Sequence, residues 1–276
     1  MIPIGSQWLH RYALLIAAAA LVSIVTGAAF TTNEERPLYS LGQSHLTVGM
    51  AAGILTVGLV IWLLQTERRP WMRPLAWIAL AIVIVETLLG FITVPQPPAV
   101  RFAHSFLAQL FFASSVLIAA STLHAWTQCP VVMGGRHSLR TLAMITAILV
   151  FGQDALGVAF RHGIIDVIPH VLGALIVAII VAALAMSVLY RPENEQLRPA
   201  AVTLLIITAA QFFIGLTLFS MGLEADIDPE AVIVVTMVHA AVGALTLAAT
   251  VVAVVLILRR VPASVNRRGG YGRQVI

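Results

Sequence analysis

Apolar residues in this chain occur in eight long runs separated by short polar segments. Each run is close to the roughly 20 residues that an α-helix needs to cross a hydrocarbon core of about 30 Å. Because the runs are almost free of charged residues, they predict membrane-spanning helices. The predicted helices lie near residues 13–30, 46–65, 75–94, 104–123, 141–159, 169–189, 201–220 and 233–258.

The composition supports the same interpretation. The 276 residues are 60% hydrophobic and 10% charged, with a mean hydropathy of +0.97. Soluble domains typically carry about 25% charged residues, so this chain belongs to the membrane class. Eight spans leave little sequence for a soluble domain, and any site must therefore be built from helices and short loops. We expect an all-α polytopic membrane protein that resides in the lipid bilayer.

The net charge of +4 reflects 16 arginines whose positions follow the predicted sides of the membrane. Thirteen arginines lie on the side that holds the N-terminus, and only Arg36, Arg101 and Arg161 lie on the other. Arginine-rich loops remain in the cytoplasm, so both the N- and C-termini are predicted to be cytoplasmic. This distribution indicates membrane topology and no nucleic-acid partner. Since no presequence is needed to explain the N-terminus, we expect a multi-pass protein of a bacterial plasma (inner) membrane.

A fourfold repeat relates the predicted helices to one another. Each odd-numbered helix carries a small or polar residue four positions before a glycine, which places both on one helix face. Each even-numbered helix opens with a histidine that is followed about one turn later by a small residue. The polar residue, glycine and histidine of the four units are Ser23, Gly27 and His45; Glu86, Gly90 and His104; Gln153, Gly157 and His170; and Gln211, Gly215 and His239.

We interpret this repeat as one helical hairpin used four times. The hairpins are predicted to group as two pseudo-repeated four-helix bundles. The N-terminal half is residues 1–130, the C-terminal half is residues 131–260, and residues 261–276 form a cytoplasmic tail.

Four histidines at equivalent depths inside a membrane predict a heme site. Taken singly, each would be interpreted as an interfacial side chain bonded to a loop carbonyl, but the fourfold repetition favours ligation. A neutral imidazole is a common axial ligand of heme iron, and facing helices of a four-helix bundle can supply two such ligands. We therefore expect one heme per half, bound by His45 and His104 and by His170 and His239. Zinc is less favoured because cysteine and carboxylate ligands are lacking.

Three residues near these histidines are candidates to contact heme propionates. Arg101 lies three positions before His104, and Arg161 lies nine positions before His170. Either guanidinium would suit a propionate, and His162 is a third candidate. In the alternative interpretation, all three are ordinary polar side chains of the loops, exposed to solvent.

Two acids lie inside predicted helices, Glu86 and Asp154. They would either relay protons or tune a heme, or they would form interhelical hydrogen bonds with glutamines. His10 is predicted to lie in an exposed cytoplasmic segment.

With these residues in place, the sequence resembles the heme A synthase family, membrane enzymes that serve cytochrome oxidase assembly. The resemblance spans almost the whole chain, through the order of its motifs. These are Thr26–Gly27, Leu89–Val94, Pro97–Pro98, His104, Gln153, Leu156–Gly157, Arg161–His162, Pro169–Ala174, Gln211, Gly215 and His239–Gly243.

The resemblance implies an activity and a set of cofactors. The N-terminal half would hold the substrate, heme O, through His45 and His104, and the C-terminal half would hold heme b through His170 and His239. Enzymes of this family oxidise a heme O methyl group to formyl, which gives heme A for a terminal oxidase. The implied partners are the heme O synthase that supplies the substrate and the terminal oxidase pathway.

The chain departs from the family in two places and would be a divergent member. Gly42 stands where members commonly carry a glutamate, three residues before the first histidine ligand. The first outer loop also lacks the two cysteines of many bacterial members. The catalytic acid is therefore not identified, and Glu34 and Glu35 are candidates to supply a carboxylate. Two alternatives stay open: a non-catalytic or electron-transfer b-type membrane cytochrome on this scaffold, and an assembly factor that binds no heme.

Overall fold

The computed structural model describes residues 4–32, 39–92, 97–123, 137–224 and 226–260. Within these residues the chain forms eight α-helices that are long and apolar enough to cross a membrane. They are α1 (Ile4–Thr32), α2 (Tyr39–Thr66), α3 (Met72–Gly90), α4 (Pro98–Ser121), α5 (His137–Arg161), α6 (Val167–Leu189), α7 (Arg198–Met221) and α8 (Pro229–Arg260), with a 3₁₀ helix at Pro192–Leu197 before α7. The prediction of an all-α protein with eight spans is confirmed.

The largest differences from the predicted spans lie at the first residues of α1, α2 and α4, and α3 also ends before its predicted span does. Helix α1 begins at Ile4, nine residues before the predicted span, because hydropathy marks the lipid-crossing part and not the whole helix. Helix α3 ends at Gly90, four residues before the predicted end. Prolines begin α4 and α8, where a missing backbone N–H costs nothing and the fixed φ suits a first helical turn.

The helices form two four-helix bundles. Helices α1 to α4 form a closed ring in which each helix packs against the next and α4 packs against α1. Helices α5 to α8 form a second ring of the same kind. The two rings meet along a seam where α8 packs against α1 and α4, and α4 packs against α5. The predicted division near residue 130 and the predicted tail lie outside the described residues.

Small side chains are buried between the helices, and large apolar side chains face outward. Ala13 and Ala20 of α1 and Ala244 of α8 are buried in one continuous core. Such small residues let helix backbones approach closely, which is how helices associate in lipid. In contrast, Ile54 and Ile148 are 71% and 66% exposed. Exposed side chains of this kind are suited to contact with lipid tails.

Successive helices run antiparallel, so odd-numbered helices end where even-numbered helices begin. We call this end of the molecule the histidine end, because His45, His104, His170 and His239 lie there. At the opposite end, Nδ1 of His10 lies 2.9 Å from the Ala119 carbonyl and 3.0 Å from Thr122 Oγ1. The expectation of an exposed His10 is wrong, since this half-buried side chain joins α1 to α4. That the termini are cytoplasmic stays a prediction.

Candidate functional site

The four histidines of the repeat come together as the two predicted pairs. The ring centroids of His45 and His104 are 5.9 Å apart, and those of His170 and His239 are 6.3 Å apart. The ring planes are inclined at 78° in the first pair and at 88° in the second. Within the described residues, α2 does not pack against α4, and α6 does not pack against α8. Each pair therefore meets across the middle of its bundle, from diagonally opposite helices.

A glycine of the preceding helix lies against each histidine ring. A Cβ atom added at Gly27, Gly157 or Gly215 would lie 2.8–2.9 Å from Cε1 of the histidine, and one at Gly90 would lie 3.3 Å away. Carbon atoms in contact prefer separations of about 3.5–4.0 Å, so a larger residue would displace the ring. The predicted role of these glycines as close-approach positions is confirmed at all four units of the repeat.

Backbone carbonyls hold the rings of the N-terminal pair. Nδ1 of His45 donates to the Ser23 carbonyl at 2.8 Å, with Ser23 Oγ at 3.2 Å, and Nδ1 of His104 donates to the Glu86 carbonyl at 3.0 Å. Because a carbonyl only accepts, both Nδ1 atoms carry the hydrogen and both Nε2 atoms keep a lone pair. Neither Nε2 has a hydrogen-bond partner among the described residues. Histidines that ligate metals usually donate their other N–H in this way.

Glutamine side chains adjoin the C-terminal pair. Nε2 of Gln153 lies 2.9 Å from Nδ1 of His170, and Nε2 of Gln211 lies 3.3 Å from Nε2 of His239. Three buried atoms here lack a hydrogen-bond partner within the described residues: Oε1 of both glutamines and Nδ1 of His239. An unpaired buried polar atom costs about 1–3 kcal/mol. This cluster therefore marks a place where a bound group or water would complete the pairing.

The ring separations fit an iron atom between two axial imidazoles. With metal–nitrogen bonds of about 2.0–2.1 Å and a ring nitrogen about 1.1 Å from its centroid, the two centroids would be about 6.3 Å apart. An edge-to-face aromatic contact spans the same range, but it requires neither a glycine behind every ring nor carbonyls at Nδ1. Among the described residues, no three His, Cys, Asp or Glu side chains form a metal cluster. Heme requires only one or two axial ligands from the protein.

Arg161 extends from the C-terminal bundle to the N-terminal one. Its Nη2 donates to the Ala28 carbonyl at 2.6 Å and to Thr31 Oγ1 at 2.8 Å. It thereby caps the last turn of α1, where free carbonyls and the helix dipole favour a cation. The predicted contact of Arg161 with a propionate stays a prediction, and this nitrogen of the guanidinium is already bonded within the protein.

His162 is buried at the same seam. A turn with Gly163 at a φ of 69° ends α5 and directs the chain there. Nε2 of His162 lies 2.8 Å from Oγ of Ser105, the residue after His104, and the side chain is only 6% exposed. Burial, followed by the charges of Arg161 and Arg101, lowers the pKa of His162 to about 4. A neutral His162 therefore joins the two bundles beside the N-terminal pair, and its contact with a propionate stays a prediction, as does that of Arg101.

The aromatic ring of Phe30 in α1 packs against Gly42. A Cβ atom at Gly42 would lie 3.0 Å from Cε2 of Phe30, so a larger residue there requires this ring to shift. The candidates Glu34 and Glu35 lie outside the described residues. Sequence reasoning missed Phe30, and it also missed Ser105, because neither residue belongs to the repeat.

No protein-family model matches this sequence, and none of the curated proteins matches it. A functional assignment for this chain therefore depends on its motifs and on the geometry of its two histidine pairs.

Proposed function

We propose that this chain is a heme-binding membrane oxidoreductase of the heme A synthase type, in a bacterial inner membrane. It would oxidise a methyl group of heme O to formyl for cytochrome oxidase biogenesis, a change that takes up one oxygen atom, as from water, and passes four electrons to an external electron acceptor. The observation that carries the proposal is the pair of diagonal histidine contacts, with ring centroids 5.9 Å and 6.3 Å apart. These separations are close to the value of about 6.3 Å for two axial imidazoles on one iron.

In this proposal His45 and His104 hold heme O, and His170 and His239 hold heme b. The bound irons would supply the redox chemistry. The part of the chain is to position them: Nδ1 hydrogen bonds orient the N-terminal rings, and the glycines let each ring lie close to a neighbouring helix.

A b-type electron-transfer cytochrome is the second candidate function. It is favoured by the packing of Phe30 on Gly42, which closes the position where the family carries its glutamate. This function would need both histidine pairs but no catalytic acid. In the third alternative, an assembly factor without heme, the paired histidines would bind no iron.

Pigment analysis separates these functions. The full chain would be purified from cells with and without a co-expressed heme O synthase, and its hemes would be extracted and identified by mass. Heme A that appears only with the chain and its heme O source supports the synthase. Heme b alone supports the electron-transfer cytochrome, and a colourless protein overturns both.

Ligand variants test the assignment of residues. His170→Ala and His239→Ala are each expected to remove the low-spin heme absorbance of the C-terminal half. His10→Gln is the matched control, because His10 lies at the opposite end of α1 and contacts α4 there. An unchanged spectrum in either alanine variant would show that the ligands are misassigned.

A further inference from the structure

The repeat places one side chain beside each histidine, and only one of these four carries a charge. The position four residues before the glycine is Ser23 in α1, Glu86 in α3, Gln153 in α5 and Gln211 in α7. The structure brings every one of them to the histidine of the following helix. The two histidine pairs are thus built alike but differ in the chemistry of this neighbour.

Glu86 contacts the ligand histidine through two of its groups. Its main-chain carbonyl accepts from Nδ1 of His104 at 3.0 Å, and its carboxylate Oε1 lies 3.6 Å from the same nitrogen. The side chains are 15% and 20% exposed, so water screens this charge only weakly. The equivalent neighbour of His239 is the neutral amide of Gln211, at 3.3 Å.

A carboxylate beside the N–H of a ligand histidine changes the reduction potential of the metal that this histidine binds. The Nδ1 hydrogen of His104 is donated to the Glu86 carbonyl, and the negative charge of the carboxylate 3.6 Å away makes Nε2 a stronger electron donor. A stronger donor stabilises ferric iron, with its additional positive charge, more than ferrous iron. The amide of Gln211 has no such charge and would not favour ferric iron in this way.

We propose that Glu86 is a positioning residue that acts through His104. It makes the preference for ferric over ferrous heme stronger at the N-terminal pair than at the C-terminal pair. The N-terminal site then has the lower reduction potential, and an electron shared between the sites resides at the C-terminal pair. This inference rests on the proposed heme binding. It adds a difference between two sites that share their ligands and their fold.

Redox titration of single-site variants tests the inference. The full-length His170→Ala variant, loaded with heme b, retains the N-terminal pair, and its midpoint potential would be followed by absorbance. Adding Glu86→Gln keeps the size of the side chain and removes its charge. We expect the ratio of ferric to ferrous affinity to fall about tenfold, which for one electron is a rise of about 59 mV.

The reciprocal variant is a control that does not depend on the folding of Glu86→Gln. In the His45→Ala background, which retains the C-terminal pair, Gln211→Glu should lower the midpoint potential by a similar amount. Ser23→Ala in the His170→Ala background, a neutral change beside His45, should shift the potential far less than Glu86→Gln.

The outcomes separate this inference from the proposed function. If the single-site variants bind heme b and neither Glu86→Gln nor Gln211→Glu moves the potential, the role of Glu86 is overturned while heme binding stands. If Glu86→Gln does not fold, the Gln211→Glu result decides. If the unmodified chain binds no heme b, the proposed function itself fails.

Discussion

One methyl group added at Gly157 would test whether His170 is held where a metal ligand must be. A Cβ atom at this position lies 2.8 Å from Cε1 and 3.2 Å from Nδ1 of the histidine ring. Carbon contacts prefer about 3.5–4.0 Å, so Gly157→Ala requires the ring to move by about 0.7 Å or more. Metal–ligand distances tolerate only about 0.2 Å.

We therefore expect Gly157→Ala to weaken heme binding at the C-terminal pair by about 10- to 100-fold, as for other changes that misplace a ligand. This corresponds to about 1.4–2.8 kcal/mol of binding free energy. The affinity would be measured by titrating the purified, heme-depleted chain with heme b and following the low-spin absorbance. The N-terminal pair provides an internal reference, because its own glycines are unchanged.

Gly152→Ala is the matched control, five residues earlier on the same helix. A Cβ atom there has no other atom within 4 Å, and the residue is exposed. This variant should keep full heme affinity and gain up to about 1 kcal/mol of stability from the better helix former. If Gly157→Ala binds heme b as tightly as Gly152→Ala, the ring of His170 is not confined as the structure implies, and the reasoning is refuted.

Three further predictions concern the seam and the first histidine hairpin. The pKa of His162 is about 4 in the folded chain and about 6.5 in the unfolded chain, so the free energy of unfolding should fall by up to about 3 kcal/mol as the pH is lowered from about 6.5 to about 4. His162→Gln should flatten this pH profile, as measured by thermal unfolding followed by circular dichroism. Arg161→Gln should lower the free energy of unfolding by about 1.5–3 kcal/mol, because its hydrogen bonds to α1 are lost. Arg191→Gln, which removes an exposed ion pair, should lower it by less than about 1 kcal/mol. Equal losses in the two variants would contradict the capping role of Arg161. Gly42→Glu should destabilise the chain by about 1–3 kcal/mol, because the new side chain clashes with Phe30. The loss should be smaller when Phe30 is also changed to alanine, and an equal loss in the same thermal unfolding experiment would argue against this contact.

Much of the candidate site follows from spacing along the chain. Residues four apart share a helix face, and consecutive membrane helices are antiparallel neighbours. A polar residue, a glycine and the next histidine must therefore approach one another within each hairpin, as Gln153, Gly157 and His170 do. The pairing of His170 with His239 extends this reasoning by one step, since both lie at the same depth.

Other features have no such signal in the sequence. The partner of Arg161 is Ala28, which lies 133 residues away, and His162 meets Ser105 across 57 residues. These contacts depend on how one bundle packs against the other. The predicted exposure of His10 failed because of packing within the N-terminal bundle, where α4 brings its last turn to that side chain.

The sequence alone determined the eight helices, their alternation and the four histidines near one end. The physical reason is that each segment in lipid must satisfy its own backbone hydrogen bonds, so local hydropathy is sufficient to define a helix. The tertiary structure decided that the histidines meet diagonally, that Glu86 lies beside His104, and that Phe30 fills the space at Gly42. These outcomes depend on close packing between helices, in which a shift of less than 1 Å changes which atoms touch.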